Sequence, residues 1–110
     1  MVENTGPDYE SSLDVLRYFE TNQQDLTTAG TREKVLDLHG GAAVIVKALV
    51  GNTGNIYLGD RAVSASTGFE LAPGESLKVE YLPEKKSGEF LEIWADCATS
   101  GDDICYIIVP

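Results

Sequence analysis

Read for the spacing of its apolar positions, the chain changes character near Leu38. Beyond that point it is strand and turn, with no stretch of helical period. Residues 42–50 (AAVIVKALV) are β-branched and almost uniformly apolar, which predicts a central strand buried on both faces. Gly51-Asn52-Thr53-Gly54-Asn55 is dense turn chemistry, and Ile56-Tyr57-Leu58 reads as the short strand after it. Residues 59–68 are small and polar, a surface loop with room for one more short strand. Pro73-Gly74 predicts a type II turn, since proline presets φ at the second position and glycine accepts the positive φ at the third. Leu77, Val79 and Tyr81 alternate with Lys78 and Glu80, the pattern of a half-buried strand. A charged loop, 83–89, leads to strands over 90–97 and 104–109, joined as a hairpin around Gly101. Turn signals about every 8–12 residues predict an all-β fold: a small antiparallel β-sandwich or jelly-roll-like domain.

Before Leu38 the pattern is weaker. Residues 1–12 are polar, contain Gly6 and Pro7, and carry Glu3, Asp8 and Glu10 without a base. They read as an arm with no core of its own. Residues 12–20 fit two patterns. Leu13, Leu16 and Phe19 or Glu20 share a helical face after a Ser12 cap, while Val15, Arg17 and Phe19 alternate with Leu16 and Tyr18 as in a strand. Thr27-Thr28-Ala29-Gly30-Thr31 is a turn, with a short strand over 35–38 behind it. The expected organisation is an N-terminal arm, 1–24, and a sandwich domain, 25–110.

Charge narrows the partners. Among 110 residues, Lys plus Arg number 8 and Asp plus Glu 18, a formal net charge of -10. Such a surface repels phosphate backbones and anionic lipid, so neither nucleic acid nor membrane is an expected partner. The same acidity would suit a cellular protein from a high-salt organism. The apolar run 42–46 is far short of a membrane span, and the acidic first twenty residues do not resemble a secretory signal.

The chemistry-bearing residues are few. Cys97 and Cys105 would face each other across a hairpin centred on Gly101, within reach of a disulfide; two free thiols serving as small hydrophobes are the alternative. Gly101-Asp102-Asp103 matches the metal-binding turn of viral RNA polymerases, but that site needs a palm domain several times longer than this chain. The two aspartates are expected to be solvated turn formers, and Asp96, Asp102 and Asp103 offer few ligands for a cation. His39 precedes Gly40-Gly41 with no serine and aspartate near it in sequence, and the loop at Gly51 lacks the Lys-Ser/Thr of a phosphate loop. No catalytic residue, metal or cofactor is expected. Trp94, Tyr57, Tyr81 and Phe69 could stack on a sugar, although strand alternation points to packing instead. Arg61, Ser64, Ser66 and Phe69, in or beside the 59–68 loop, are the candidate ligand or partner contacts.

One ordered set of motifs is more specific. TTAGT at 27–31 is followed by an apolar strand ending in Lys47-Ala48, then GNTGNIYLGD at 51–60 and VSASTGFELAPGES at 63–76. Together with Ile93-Trp94-Ala95 and Tyr106, this resembles a cassette in small virion structural proteins of tailed bacteriophages and related prophages. It spans about residues 25–110. The loop 83–88, with Lys85-Lys86, is longer and more charged than the usual connection, and the segment before Asp25 has no counterpart.

The resemblance implies a non-enzymatic β-sandwich on the virion, on the capsid surface in preference to the tail, assembled in the host cytoplasm. It would be a decoration protein that cements and stabilises the phage head. Its partners would then be the major capsid protein or other virion proteins and further copies of itself, a trimer being favoured. Leu13, Leu16, Tyr18 and Phe19 would anchor the arm on a neighbour. The alternative is a tail or spike module that recognises a host surface sugar or protein.

Overall fold

The computed structural model describes residues 20–82 and 89–109. They form eight strands: β1 Glu20–Leu26, β2 Glu33–His39, β3 Ala42–Ala48, β4 Ile56–Gly59, β5 Phe69–Leu71, β6 Ser76–Tyr81, β7 Phe90–Cys97 and β8 Asp102–Val109. Two four-stranded antiparallel sheets result, one ordered β1-β8-β3-β6 and the other β2-β7-β4-β5. Only β4 and β5 are neighbours both in sequence and in a sheet; every other connection crosses between the sheets. That is the topology of a jelly roll.

The core lies between the inner faces. β3 contributes Val44, Val46 and Ala48, β8 Ile104 and Tyr106, and β1 only Leu26; from the facing sheet come Leu36, Leu38, Ile56, Leu58, Leu71, Ile93 and Ala95. Fully burying a Leu or Ile side chain contributes roughly 1.5–3 kcal/mol against the entropy of ordering the chain. Both faces of the sandwich obey the period-2 rule, with one irregularity. A bulge between Lys34 and Leu36 brings Val35 and Leu36 both into the interior.

Several expectations change. β3 is central in its sheet but buried on one face only, since Ile45 is 38% exposed. Residues 20–24, assigned to the arm from sequence, belong to the sandwich as most of β1, in register with β8 from Glu20↔Ile108 to Leu26↔Asp102. The hairpin around Gly101 does not exist. Gly101 does turn the chain, with φ +89, but the turn carries it from one sheet to the other. Cys97 therefore pairs with Ile56 in one sheet and Cys105 with Gln23 and Lys47 in the other. Cys97 is buried, and both thiols are free. The Pro73-Gly74 turn has the expected form: Gly74 has φ +90, and Glu75 N donates to Ala72 O at 2.9 Å.

Candidate functional site

Four connections meet at one end of the sandwich: 27–32, 49–55, 72–75 and 98–101. Asp102, 6% exposed, accepts Thr53 N at 3.0 Å and Gly54 N at 2.8 Å through its two carboxylate oxygens. Asp96, 4% exposed, accepts Gly30 N and its neighbour Cys97 N at 2.9 and 2.7 Å. Asn52 pairs with the backbone of Asp103 on both sides, donating Nδ2 to its carbonyl and accepting its N–H. Ser100 Oγ accepts Ala29 N. Asp102 is thus not the solvated turn former its position suggested but a buried clamp, with its acceptors committed to backbone. No cluster of metal-ligating side chains occurs among the described residues. Asp103 faces Asp25 across the β1–β8 ladder; desolvation and the Asp25 charge raise its carboxyl above the ordinary range. At Cys97, burial followed by the Asp96 and Asp102 charges pushes the thiol up, away from the reactive thiolate.

The outer face of the β2-β7-β4-β5 sheet carries a different arrangement. Trp94 stands here, half-buried, between the inward-facing Ile93 and Ala95; it is not the core residue that alternation suggested. Its cross-strand partner on β4 is Gly59. Glycine is required there because the 60–68 loop folds back over β4. A Cβ on Gly59 would lie 2.8 Å from Val63 Cγ2, and one on Gly68 would lie 2.6 Å from Tyr57 Cβ. This fold-back brings Arg61 to the sheet, where Nη2 contacts Glu92 Oε1 and Oε2 at 3.2 and 3.3 Å. Trp94 Nε1 donates to the same Glu92 Oε1 at 3.0 Å. The bonds from Trp94 and Arg61 hold the Glu92 carboxyl below its ordinary range, so it stays ionised into mild acid. Gly30, Thr31, Arg32, Arg61 and Trp94 line an open cleft of about 630 Å³.

The outer face of the other sheet is apolar along its two central strands. Ala43 faces Val109 and Ile45 faces Ile107, and Lys47 faces Cys105. Thr21, Asn22 and Gln23 of β1 border a shallow groove of about 390 Å³ beside Ile45, Cys105 and Ile107.

The candidate contact residues divide. Arg61 lines the cleft; Ser64, Ser66 and Phe69 do not. Ser64 and Ser66 share a hydroxyl–hydroxyl bond of 3.1 Å, and Thr67 Oγ1 accepts Ser64 N, so these side chains shape their own loop. Phe69 opens β5, 56% exposed. Leu13, Leu16, Tyr18 and Phe19 lie outside the described residues. Arg32, Glu92 and Trp94's outward role were missed from sequence. Only the alternation of Glu92 and Trp94 with buried Ile93 and Ala95 could have signalled them.

The molecule is thus a jelly roll with one end cross-tied by carboxylates and two unlike outer faces. A solved structure described as a de novo designed double-stranded β-helix has a similar fold, with a TM-score of 0.50 and 21% identity over 84% of this chain and 96% of that chain. No family model matches the chain, and neither does any curated protein.

Proposed function

We propose that this chain is a non-enzymatic virion structural protein, a decoration protein that docks on a phage head through the outer face of its β1-β8-β3-β6 sheet. The observation that carries the reading is the apolar stripe of Ala43, Ile45, Ile107 and Val109 on an otherwise acidic protein. An antiparallel sheet that faces only water alternates polar residues outward, and at Ala43, Ile45, Ile107 and Val109 this one presents apolar residues instead. β1, which begins at Glu20, is the neighbour of β8 and borders the stripe. The cassette that suggested a virion protein includes turns at the cross-tied end, away from this face, and attachment is assigned to the face and the arm. Copies would cap the coat lattice as trimers or rings, covering the edge strands β1 and β6.

The test mixes purified protein with shells lacking it and counts the bound copies. Saturation at lattice stoichiometry is expected, with binding lost in Ile45→Glu while the circular dichroism spectrum is unchanged. A protein that ignores the shell, or an Ile45→Glu variant that binds normally, overturns the reading. A tail or spike binding module is the second reading, favoured by the Arg–Trp cleft; it demands only a few copies per particle.

A further inference from the structure

We infer that the cleft on the outer face of the β2-β7-β4-β5 sheet binds a sugar bearing a carboxylate, of the hexuronic acid type. The inference is independent of any particle, and the cleft lies on the sheet opposite the apolar stripe.

The distribution of positive charge points to the site first. The chain is strongly acidic, yet among the described residues the lining of this cleft contains two guanidiniums and no carboxylate. Lys34, on β2, is the cross-strand partner of Trp94 and adds a third cation to the same face, paired to Asp37 at 3.1 Å. Glu92 neutralises Arg61, and Asp37 neutralises Lys34. Among the described residues Arg32 makes no ion pair, and the buried Asp96 carboxylate behind the same turn is bonded to Gly30 N. That setting suits a carboxylate monoanion over a phosphate dianion, which the negative field of the molecule repels more strongly. Arginine also presents the planar fork that a carboxylate fits.

The indole decides for a sugar over a simple anion. Trp94 Nε1 is already satisfied by Glu92, so the ring is held in place with its N–H committed, and the indole lines the cleft as its aromatic wall. Val63 of the 60–68 loop fills the place of a side chain at Gly59, and the indole meets the cleft alongside Gly30, Thr31, Arg32 and Arg61. A pyranose ring laid on an indole face buries its C–H groups there, as amphipathic aromatic rings do at carbohydrate sites. Thr31 can then exchange hydrogen bonds with ring hydroxyls. The walls are fixed before any ligand arrives. Asp96 and Ser100 hold the Ala29-Gly30 turn, and Val63, seated against Gly59 and Gly68, holds the loop that supplies Arg61. Preorganised walls lower the ordering cost of binding.

Trp94 is the only tryptophan in the chain, so its fluorescence reports on this cleft alone. The probes are methyl β-D-glucuronide, oligogalacturonate, neutral methyl β-D-glucoside, and sodium acetate, at constant ionic strength. The glucuronide and the oligomer are expected to shift the emission saturably, the monosaccharide with a dissociation constant on the order of 1 mM. The glucoside and acetate should each bind at least about tenfold more weakly. Arg32→Gln should weaken glucuronide binding by about tenfold or more, while Lys78→Gln, on the opposite sheet, leaves it unchanged. Equal titration by acetate would reduce the cleft to a bare anion site and overturn the inference. Equal titration by the neutral glucoside, or no response to either acidic sugar at 20 mM, about twentyfold above the expected constant, overturns it as well. Shell binding by Arg32→Gln is expected to be normal, so failure here is distinguishable from failure of the decoration reading.

Discussion

Two aspartates that look alike in sequence behave differently once folded. Asp102 is buried, and its carboxylate is the acceptor for both Thr53 N and Gly54 N. Asp102→Ala leaves two loop N–H groups without partners and is expected to cost about 1–3 kcal/mol, read as a lower urea midpoint at unchanged slope. A midpoint equal to that of the parent would mean that water replaces the carboxylate freely. Asp103 instead faces Asp25 directly, and its raised carboxyl means that the folded state binds this proton more tightly than the unfolded chain. Its contribution to stability is therefore complete below the ordinary carboxylate range and lost as pH rises through the raised value. At pH 7 the two charges repel. Asp25→Asn should stabilise the protein at pH 7 by about half a kcal/mol or less, because both groups are solvent-screened. The gain should vanish near pH 3, where Asp103 is protonated; equal gains at both pH values would show that the repulsion is not its source.

At the scale of elements, the 60–68 loop is the piece on which the cleft depends. Gly68→Ala places a methyl group 2.6 Å from Tyr57 Cβ and 2.8 Å from Val63 Cγ2, so the loop must lift. A cost of about 1–3 kcal/mol is expected, together with a shift in Trp94 emission as Arg61 leaves Glu92. Unchanged emission would separate the loop from the cleft. A second consequence concerns the thiols. Cys105 should react with a thiol reagent in the native protein well before the buried Cys97, and two thiols should titrate in urea without reductant; one or none would restore the disulfide.

The legibility of each element follows from its surroundings. β6 was readable because one face meets the core and the other water, so its residues alternate. β1 was not, because ETNQQDL is an edge strand whose only fully buried side chain is Leu26. A turn at Gly101 was readable, but its destination was not, since the same glycine serves a hairpin or a crossing between sheets. The cleft was the least legible feature. Arg32, Arg61 and Trp94 come from separate stretches and meet only because the sheet order places β2, β7 and β4 side by side. Arg61 stood out in sequence for its loop, yet the structure gives it Glu92 and Trp94 as neighbours in place of Phe69.

The whole molecule sets two faces against each other in the field of its net charge of -10. Docking or self-association through the stripe of Ala43, Ile45, Ile107 and Val109 brings acidic bodies together. Its attraction is apolar and insensitive to salt, whereas the repulsion between partners is long-ranged. Raising salt shortens the Debye length from about 30 Å at 0.01 M to about 10 Å at 0.1 M, so association through this face should strengthen. The cleft should respond with the opposite sign. There an acid meets Arg32, and screening weakens that attraction, which is only partly offset by relief from the distant negative charges. Oligomer mass by light scattering and glucuronide affinity by Trp94 emission, followed over the same salt series, should therefore diverge. If both fell together, the stripe would be acting through charge and the apolar account of docking would fail. If both rose, the net charge would dominate the cleft, and Arg32 would not be the group that selects the ligand.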